Sequence, residues 1–468
     1  MKHEERASFG STIGVILATA GSAVGLGNVW RFPYMTGENG GAVFILIYFG
    51  CVLLLGIPCM LSEFIIGRRG ASNASRVFSR LTEAEGKKGF GVFFPKMIGY
   101  LGVLTGFLIT SYYAVVSGWC LQYVFASGSG HLRGDASYVS EYFSSFCREP
   151  FRPVFWTVAV LVICHLIIIR GVRGGIERAS KLLMPLLFVL LLVVVVCSCM
   201  LPGAGKGVEF LLKPDFSRVD SGVFLSALGQ SFYSLSIGMG CLATYASYFS
   251  KKTNLVGSAV QISLVDSLVA ILAGLMIFPA AFSIGVSPDS GASLAFITLP
   301  NVFNQAFSEM PMVGYVVALF FYGLLSLAAV TSLISLHEVA TAFFHEELHT
   351  SRHRAATAVT VICSIVGAFC SLSLGGSDLL TFGGHSLFDV FDFVTGQVFL
   401  PIGGFLTCIF LGWFVPKRIA REEFTNQGTL WTRGKTAKAP LFSIFLFLIR
   451  FVCPTAIAMI FLHQLELI

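Results

Sequence analysis

The sequence predicts an all-α protein that crosses a membrane many times. Of its 468 residues, 55% are hydrophobic and only 12% are charged, and the mean hydropathy is +0.81. A soluble domain carries about twice that share of charged residues. The apolar residues also fall in blocks of about 20, the length that a helix needs to cross a hydrocarbon core of about 30 Å. These observations exclude a soluble globular class.

Eleven apolar blocks follow one another along the chain, and we expect each of them to be a membrane-spanning helix. They lie near 11–35, 41–67, 95–126, 153–169, 180–201, 221–249, 257–285, 311–344, 356–373, 388–414 and 440–464. The stretches between them are too short to fold alone, so residues 1–468 are predicted to form a single domain. The two longest, about 126–152 and 286–310, are expected to be external loops that cap a vestibule.

The positions of Lys and Arg predict the orientation of these helices. With the N-terminus on the inner side, 23 of the 31 basic residues fall in inner segments and six in outer loops. Arg31 and Arg450 fall at membrane depth. Because basic residues accumulate in cytoplasmic loops, the sequence predicts a cytoplasmic N-terminus and an external C-terminus. This sorting explains the net charge of +6 without a nucleic-acid partner.

The twelve cysteines predict packing and not a disulfide framework or a metal site. Almost all of them lie inside apolar blocks, where a thiol behaves as a small hydrophobic group. No pair has the spacing of metal ligands.

Small residues interrupt the first and sixth blocks. The first reads Gly-Ser-Ala-Val-Gly-Leu-Gly-Asn over 21–28, and the sixth reads Ser-Leu-Ser-Ile-Gly-Met-Gly over 234–240. Glycine weakens a helix by about 1 kcal/mol relative to alanine. Freed backbone groups are tolerated at membrane depth only where they face protein or a polar cavity. Two broken helices five spans apart therefore indicate an inverted-repeat fold with a site at the breaks. Taken alone, Gly-xxx-Gly also fits close helix packing.

These segments resemble the neurotransmitter:sodium symporter family. The resemblance rests first on Gly-Ser-Ala-Val-Gly-Leu-Gly-Asn-Val-Trp-Arg-Phe-Pro over 21–33, followed by Glu-Asn-Gly-Gly over 38–41 and Glu63. The sixth block, with Gly-Gln-Ser-Phe-Tyr-Ser-Leu-Ser-Ile-Gly-Met-Gly over 229–240, is similar to the sixth helix of the family. Thr331-Ser332 and Phe391-Asp392-Phe393 also fit, and the similarity covers essentially the whole chain.

The resemblance implies a 5+5 inverted-repeat transporter fold with broken helices 1 and 6 and an eleventh helix. The first repeat would cover about 11–201, the second about 221–414 and the extra helix about 440–464. The implied function is sodium-coupled symport of an amino acid by alternating access, and not an enzymatic reaction. Eleven spans, where animal members have twelve, match many bacterial members, which implies the bacterial cytoplasmic membrane. The oligomeric state stays open.

The resemblance further implies two sodium sites, and sodium is a hard cation that suits oxygen ligands. The first would use the Ala23 carbonyl, Asn28, Ser234 and Asp266, with the carboxylate of the substrate. The second would use the carbonyls of Gly21, Val24 and Ala328 and the hydroxyls of Thr331 and Ser332. Hydroxyls in membrane helices otherwise bond their own backbone, and the surrounding motif is what favours an ion here.

The substrate is expected to lie at the breaks. The implied contacts are Ser22, Ala23, Gly25, Leu26, Gly27, Ile109, Tyr113, Tyr233, Ser234, Ser236, Met239 and Leu336. Animal amine carriers of the family have Asp where this chain has Gly25, so the ligand must bring its own carboxylate. The N–H groups of Leu26 and Gly27 and the Tyr113 hydroxyl would bind that carboxylate. The uncharged, apolar walls predict a neutral, hydrophobic L-amino acid.

Asp266 predicts transport without chloride. A carboxylate at mid-membrane costs at least about 2.5 kcal/mol and therefore requires a partner. Animal members have Asn here and need a bound chloride close by. An Asp supplies that negative charge covalently, and Ala270, one turn further on, offers no hydroxyl for chloride.

Two charged pairs are expected to act as gates. Arg31 and Asp392 would close the outer path, and Arg6 and Glu346 the inner one. Phe9 stands where the family usually has Trp.

Two further features have expected roles. Gly175 and Pro185 flank a segment of the fifth helix whose unwinding would wet the second sodium site. Glu63 is expected to bond freed backbone of the broken helices. Partners for Arg450 and Glu338 are not predicted.

Two alternatives keep the same fold. A proton-coupled carrier would titrate Asp266 in place of binding sodium there. A substrate sensor would bind without transport, although intact Asn28, Asp266, Thr331 and Ser332 argue against it. An intramembrane enzyme using Asp266 and Glu63 lacks any accompanying nucleophile–base pair.

Overall fold

A computed structural model describes residues 7–285, 294–375, 380–428 and 439–464 of the chain. Eight helices in these residues are long and apolar enough to cross a membrane. They are Ala42–Gly70, Phe90–Gly128, Val172–Cys199, Leu255–Ser283, Pro311–Glu347, Arg352–Ser373, Leu387–Phe414 and Leu441–Gln464. They correspond to the predicted second, third, fifth, seventh, eighth, ninth, tenth and eleventh spans.

The other three predicted spans are shorter or broken. The first span consists of Thr12–Ala23 and Gly27–Glu38, which meet at an angle of 55°. The fourth span is Arg152–Ile168. The sixth span consists of Ser221–Ser234 and Cys241–Ala246, separated by six residues without regular helix. All eleven predicted apolar blocks are therefore helical.

The connecting segments carry short helices and one two-stranded hairpin. The helices are Ala74–Glu83, Ala136–Arg148, Gly205–Leu212, Leu299–Ala306 and Lys417–Phe424, with turns at Phe216–Arg218 and Leu294–Thr298. The strands Thr381–Phe382 and His385–Ser386 pair antiparallel before the tenth span.

The first span begins and breaks for local reasons. The Ser11 side chain caps the first helix by accepting a hydrogen bond from the Gly14 N–H, which satisfies one of the unpaired donors of the first turn. Val24 then turns extended (φ −68°, ψ 103°), and Gly25 completes the break. At this break the Gly25 N–H donates to the Asn28 side chain at 3.1 Å and the Leu26 N–H to the Tyr113 hydroxyl at 3.2 Å.

The sixth span breaks where three residues take left-handed conformations. Ser236, Gly238 and Gly240 have φ values of 55°, 89° and 76°, and only glycine adopts this region without strain. The buried Glu63 carboxylate accepts hydrogen bonds from the Gly238 N–H at 2.7 Å and the Ala243 N–H at 3.3 Å. The expectation that Glu63 bonds freed backbone is therefore confirmed.

The two expected external loops contain packed helices, and residues 286–293 lie outside the described residues. The Phe296 ring stacks on Phe143 with centroids 5.4 Å apart, and its carbonyl accepts from the Tyr123 hydroxyl at 3.1 Å. The Asn304 amide donates to the Leu132 carbonyl at 2.7 Å. These contacts hold both loops against the end of the third span.

Candidate functional site

The two helix breaks face each other across a cavity of about 50 Å³. It is lined by Ser22, Ala23, Gly25, Leu26, Gly27, Ile109, Tyr112, Tyr113, Tyr233, Ser234, Ser236, Met239, Ser332, Leu336 and Leu400. All twelve residues expected to contact a substrate are in this set. The lining includes no charged side chain in the part of the chain that the structure describes.

The residues of the first expected ion site lie within hydrogen-bond distance of one another. The Asn28 amide nitrogen is 2.8 Å from Asp266 Oδ1 and 3.1 Å from Ser234 Oγ. Ser234 Oγ donates to Asp266 Oδ2 at 2.8 Å, and the Tyr48 hydroxyl donates to the same oxygen at 3.3 Å. The fully buried Asp266 carboxylate is thus held by three donors, as a charge at this depth requires.

This group of oxygens suits a hard cation. A carboxylate, a hydroxyl and an amide oxygen are the donors that such ions prefer, and Ala23 lies beside Ser234 in the cavity wall. The Asn28 side-chain oxygen accepts from the Gly25 N–H, while its nitrogen faces Asp266. An ion bound between Asn28 and Asp266 therefore requires the Asn28 amide to turn over.

The residues of the second expected ion site also come together, between the first and eighth spans. Ser332 Oγ is 3.4 Å from the Gly21 carbonyl and 3.3 Å from the Val24 carbonyl. Thr331 Oγ1 donates to the Ala328 carbonyl at 3.0 Å. Ser332 thus bridges the first and eighth spans where the first helix loses its regular hydrogen bonds, while Thr331 bonds carbonyls of its own helix. Hydroxyls and carbonyls of this kind suit a hard cation.

Gly25 leaves space at one end of the cavity. A Cβ atom at this position would lie 2.5 Å from Ser332 Oγ and 3.1 Å from the Tyr113 hydroxyl. Because Tyr113 accepts from the Leu26 N–H, its own proton is directed elsewhere and is available to an anion. The start of the second half-helix adds the positive end of its dipole.

Apolar side chains form the other end. Ile109, Met239 and Leu336 are each buried at this end of the cavity. Ser22 donates to Ser335 Oγ at 2.8 Å, and Ser236 donates to the Ser22 carbonyl at 3.1 Å. These hydroxyls are thereby satisfied, and the surface that they leave to a ligand is mainly hydrocarbon.

Arg31 and Asp392, the expected outer gate, are arranged differently from the expected ion pair. No ion pair within 4.0 Å joins these two side chains, both of which are among the described residues. The Arg31 guanidinium lies over the Tyr233 ring, 4.2 Å from its centroid, in a cation–π contact. Arg31 and Asp392 still attract each other electrostatically. Tyr112 lines the cavity, and its hydroxyl accepts a hydrogen bond from Thr395 of the tenth span.

On the inner side Arg6 lies outside the described residues, so the expected pairing with Glu346 has no structural account. Glu346 Oε2 accepts from the Asn73 N–H at 2.9 Å and from the Ser72 hydroxyl at 3.1 Å. Its position ties the end of the eighth span to the loop after the second span.

Residues 9–11 pack against the fifth and sixth spans. Phe9 is buried against the rings of Tyr245, Tyr248 and Phe249. The Gly10 N–H and the Ser11 hydroxyl donate to the Glu177 carboxylate at 2.6 and 2.8 Å. Residues 172–199 of the fifth span are helical throughout, so the segment expected to unwind is wound here.

Sequence reasoning missed four residues near the cavity. Tyr112 and Leu400 line it, Tyr48 bonds Asp266, and Gln230 donates to the Gly27 carbonyl at 3.3 Å. Gln230 carries a detectable signal, because an amide inside an apolar block requires a partner. Tyr48 and Leu400 carry none, since both residue types are ordinary in such blocks.

The chain is similar to known proteins over most of its length. The model of the sodium:neurotransmitter symporter family matches residues 6–154 and 152–466. The uncharacterized sodium-dependent transporter YhdH of Bacillus subtilis is 36% identical over the full length of both chains. The sodium- and chloride-dependent taurine transporter of Bos taurus is 27% identical, over 88% of this chain and 72% of its own.

A solved structure extends the comparison to the fold. The crystal structure of MhsT in complex with L-phenylalanine superposes with a TM-score of 0.84 at 41% identity. It covers 98% of this chain and 100% of its own. The 5+5 arrangement with broken first and sixth helices and an eleventh helix is therefore the fold of this protein. The chain belongs to the sodium:neurotransmitter symporter family, whose members are sodium-dependent membrane transporters.

Proposed function

We propose that this protein imports a neutral, hydrophobic L-amino acid together with sodium and independently of chloride. The observation that carries the proposal is the cavity at the two breaks, where the backbone of the first break and the Tyr113 hydroxyl lie beside apolar side chains. Because no charged side chain among the described residues lines it, the two charges of an amino acid must be balanced by backbone dipoles and by a cation.

The ligand orientation follows from the two ends of the cavity. The carboxylate would lie near Gly25, within reach of the Leu26 and Gly27 N–H groups and the Tyr113 hydroxyl. The side chain would lie between Ile109, Met239 and Leu336. The cavity is far smaller than typical ligand pockets of 300–1,000 Å³, so a large substrate requires Met239 to move, which an unbranched side chain allows. MhsT, a relative with the same fold, was crystallised with L-phenylalanine.

Two sodium ions would bind with the substrate. The first would be held by Ala23, Asn28, Ser234 and Asp266, and the second by Gly21, Val24, Ala328, Thr331 and Ser332. A substrate carboxylate that completes the first shell makes the two affinities reciprocal. At 100 mV two charges supply about 4.6 kcal/mol, enough for a concentration ratio of about a thousand.

The repeat organisation and orientation are part of the same proposal. Residues 11–201 and 221–414 would be the two repeats of one domain, with the N-terminus in the cytoplasm and the C-terminus outside. The breaks at Val24–Gly25 and at 235–240, five spans apart, support the repeats. The distribution of basic residues supports the orientation.

Uptake into proteoliposomes tests the proposal. Labelled leucine or phenylalanine should accumulate only with an inward sodium gradient, equally in chloride and gluconate, and a panel of twenty unlabelled competitors should rank hydrophobic residues first. Uptake driven by a pH gradient without sodium would indicate proton coupling at Asp266. Binding without uptake would indicate a sensor. Either result would overturn sodium-coupled symport.

A further inference from the structure

A basic cavity lies on the membrane side where the sequence predicts the cytoplasm, between the tenth and eleventh spans. It measures about 950 Å³ and is bounded by the short helix Lys417–Phe424 and the start of the eleventh span. Its charged lining residues are Lys417, Arg418, Arg421, Arg450 and Glu422. Four cations thus share this cavity with one carboxylate.

Among the residues that the structure describes, the charges of this cavity are only partly balanced. Arg418 lies 3.7 Å from Glu422 and 3.9 Å from Glu85, and Glu422 is also 3.6 Å from Arg69. Lys417 and Arg421 form no ion pair within 4.0 Å among the residues that the structure describes. The excess positive charge favours an anionic ligand.

Arg450 adds a cation at membrane depth whose partner sequence reasoning does not predict. Its Nε donates to the Gly412 carbonyl at 2.7 Å, and its guanidinium lies 5.2 Å from the Trp413 ring centroid. Trp413 is 55% exposed, as expected of an aromatic residue at the membrane–water interface. The terminal nitrogens of Arg450 form no hydrogen bond within the described residues. A phosphate oxygen suits this geometry, since guanidinium and phosphate pair strongly.

An apolar groove of about 570 Å³ continues from the basic cavity, and Phe451 lines both. The groove runs between the second, sixth and eleventh spans, where Gly50, Leu54, Phe224 and Met459 are among its walls. The one hydroxyl in its wall, on Thr455, already donates to the Phe451 carbonyl at 2.7 Å. This surface therefore suits a hydrocarbon chain.

We propose that the basic cavity and the apolar groove together bind one anionic phospholipid. Its phosphate would lie among Lys417, Arg421 and Arg450, and one acyl chain would extend past Phe451 into the groove. Basic residues near a cytoplasmic interface are expected for topology alone. A basic cavity that continues into an apolar groove along the eleventh span is not expected for topology alone. This combination indicates a binding site for an amphipathic anion.

Native mass spectrometry of the purified full-length protein tests the charged half of the site. The probes are phosphatidylglycerol and phosphatidylcholine, each added at equal concentration. The variant Lys417→Gln/Arg418→Gln/Arg421→Gln is compared with Lys88→Gln/Lys251→Gln/Lys252→Gln, which removes three exposed charges elsewhere on the same side. Loss of one surface charge lowers affinity about fivefold, so the first variant should retain phosphatidylglycerol many times less than the control.

The groove is tested without changing any charge. A Cβ atom at Gly50 meets no atom within 4 Å, so Gly50→Phe fills the groove while Gly50→Ala leaves it open. We expect Gly50→Phe to lower phosphatidylglycerol retention severalfold at an unchanged melting temperature, and Gly50→Ala to leave it unchanged. Equal retention of both lipids, equal retention by both triple variants, or no effect of Gly50→Phe would overturn the proposal. Displacement of the lipid by millimolar inorganic phosphate would assign the cavity to free phosphate instead.

Discussion

The absence of a side chain at Gly25 is what leaves room beside Tyr113 and Ser332. We therefore expect Gly25→Ala to reduce sodium-driven amino-acid uptake at least about a hundredfold, because displacing a group by about 1 Å in a functional site has an effect of this size. The added methyl group would lie 2.5 Å from Ser332 Oγ, which displaces a hydroxyl of the second proposed ion site. Uptake and substrate binding are measured in parallel in proteoliposomes.

The control for this change is Gly50→Ala, which adds the same methyl group to a helix of the same protein where nothing lies within 4 Å. It should transport as the wild type does. Normal uptake by Gly25→Ala would show that the carboxylate end of the ligand does not lie at this glycine.

The charge of Asp266 is the second determinant at the residue scale. Asp266→Asn removes a negative charge that three donors now surround. We expect sodium-driven uptake to fall at least about tenfold in chloride-free buffer, because a bound cation then lacks a counter-charge at a buried site. Chloride should partly restore uptake in the variant and should have no effect on the wild type.

Ser267→Ala is the matched control, since its hydroxyl is buried beside Asp266 and has no hydrogen-bond partner among the described residues. Its uptake should be unchanged in both buffers. Chloride stimulation of the wild type would contradict the proposed role of the carboxylate.

At the scale of helices, the break in the sixth span depends on a side chain from the second. Glu63 accepts from two N–H groups that the break leaves without helical partners. Glu63→Gln replaces one acceptor oxygen by an NH₂ group, which then faces one of these two backbone N–H groups without being able to accept its hydrogen bond. We expect a loss of about 1–3 kcal/mol in the free energy of unfolding, the usual effect of one unsatisfied buried polar group. Thermal unfolding in lipid nanodiscs measures it.

Glu83→Gln provides the comparison, because Glu83 is exposed on the short helix Ala74–Glu83. It should unfold at the wild-type temperature. If Glu63→Gln also unfolds at the wild-type temperature, the two hydrogen bonds do not stabilise the break in the sixth span.

The spans and breaks were predictable because each has a local cause. Apolar block length determines where helices cross the membrane, and glycine at 238 and 240 permits a backbone conformation that other residues resist. The six-residue gap in the sixth span matches its small-residue motif. The helix Ala136–Arg148 in the expected external loop was not predicted. Its polar residues are typical of a loop, and its packing partners cannot be recognised from the sequence.

Partners of buried charges were not predictable, because they depend on packing between distant segments. Glu338 pairs with Arg352 and accepts from the Tyr248 hydroxyl at 2.8 Å, and Arg450 bonds the Gly412 carbonyl. The contact of Arg31 with the Tyr233 ring, in place of an ion pair with Asp392, also depends on packing between distant segments. The presence of two opposite charges at a similar depth in the membrane does not determine which rotamer each side chain adopts or which neighbour it contacts.

On the scale of the whole molecule, both approaches to the cavity are covered. Arg31, Tyr233 and Tyr112 lie on the side where the sequence predicts the outside, and the segment from Phe9 to Ser11, with Phe9 buried, lies on the opposite side. A substrate held between them is separated from both solutions, which is the occluded arrangement that alternating access requires. In the proposed import cycle, inward release would break the hydrogen bonds between residues 10–11 and Glu177.

Through Arg68 the C-terminal end of the second span is joined to two distant parts of the chain, so that three parts meet there. Its guanidinium lies 2.6 Å from both Glu423 Oε2 and the Thr253 carbonyl, and 3.1 Å from Asn426 Oδ1. Arg68→Met leaves the buried Glu423 carboxylate with only Arg69, at 3.5 Å, so we expect a loss of about 3–5 kcal/mol in the free energy of unfolding. Arg68→Met/Glu423→Met should lose less than the sum of the single variants, because it removes both charges together. Thermal unfolding of the four proteins measures the coupling, and strictly additive losses would show that this ion pair does not hold the three parts together.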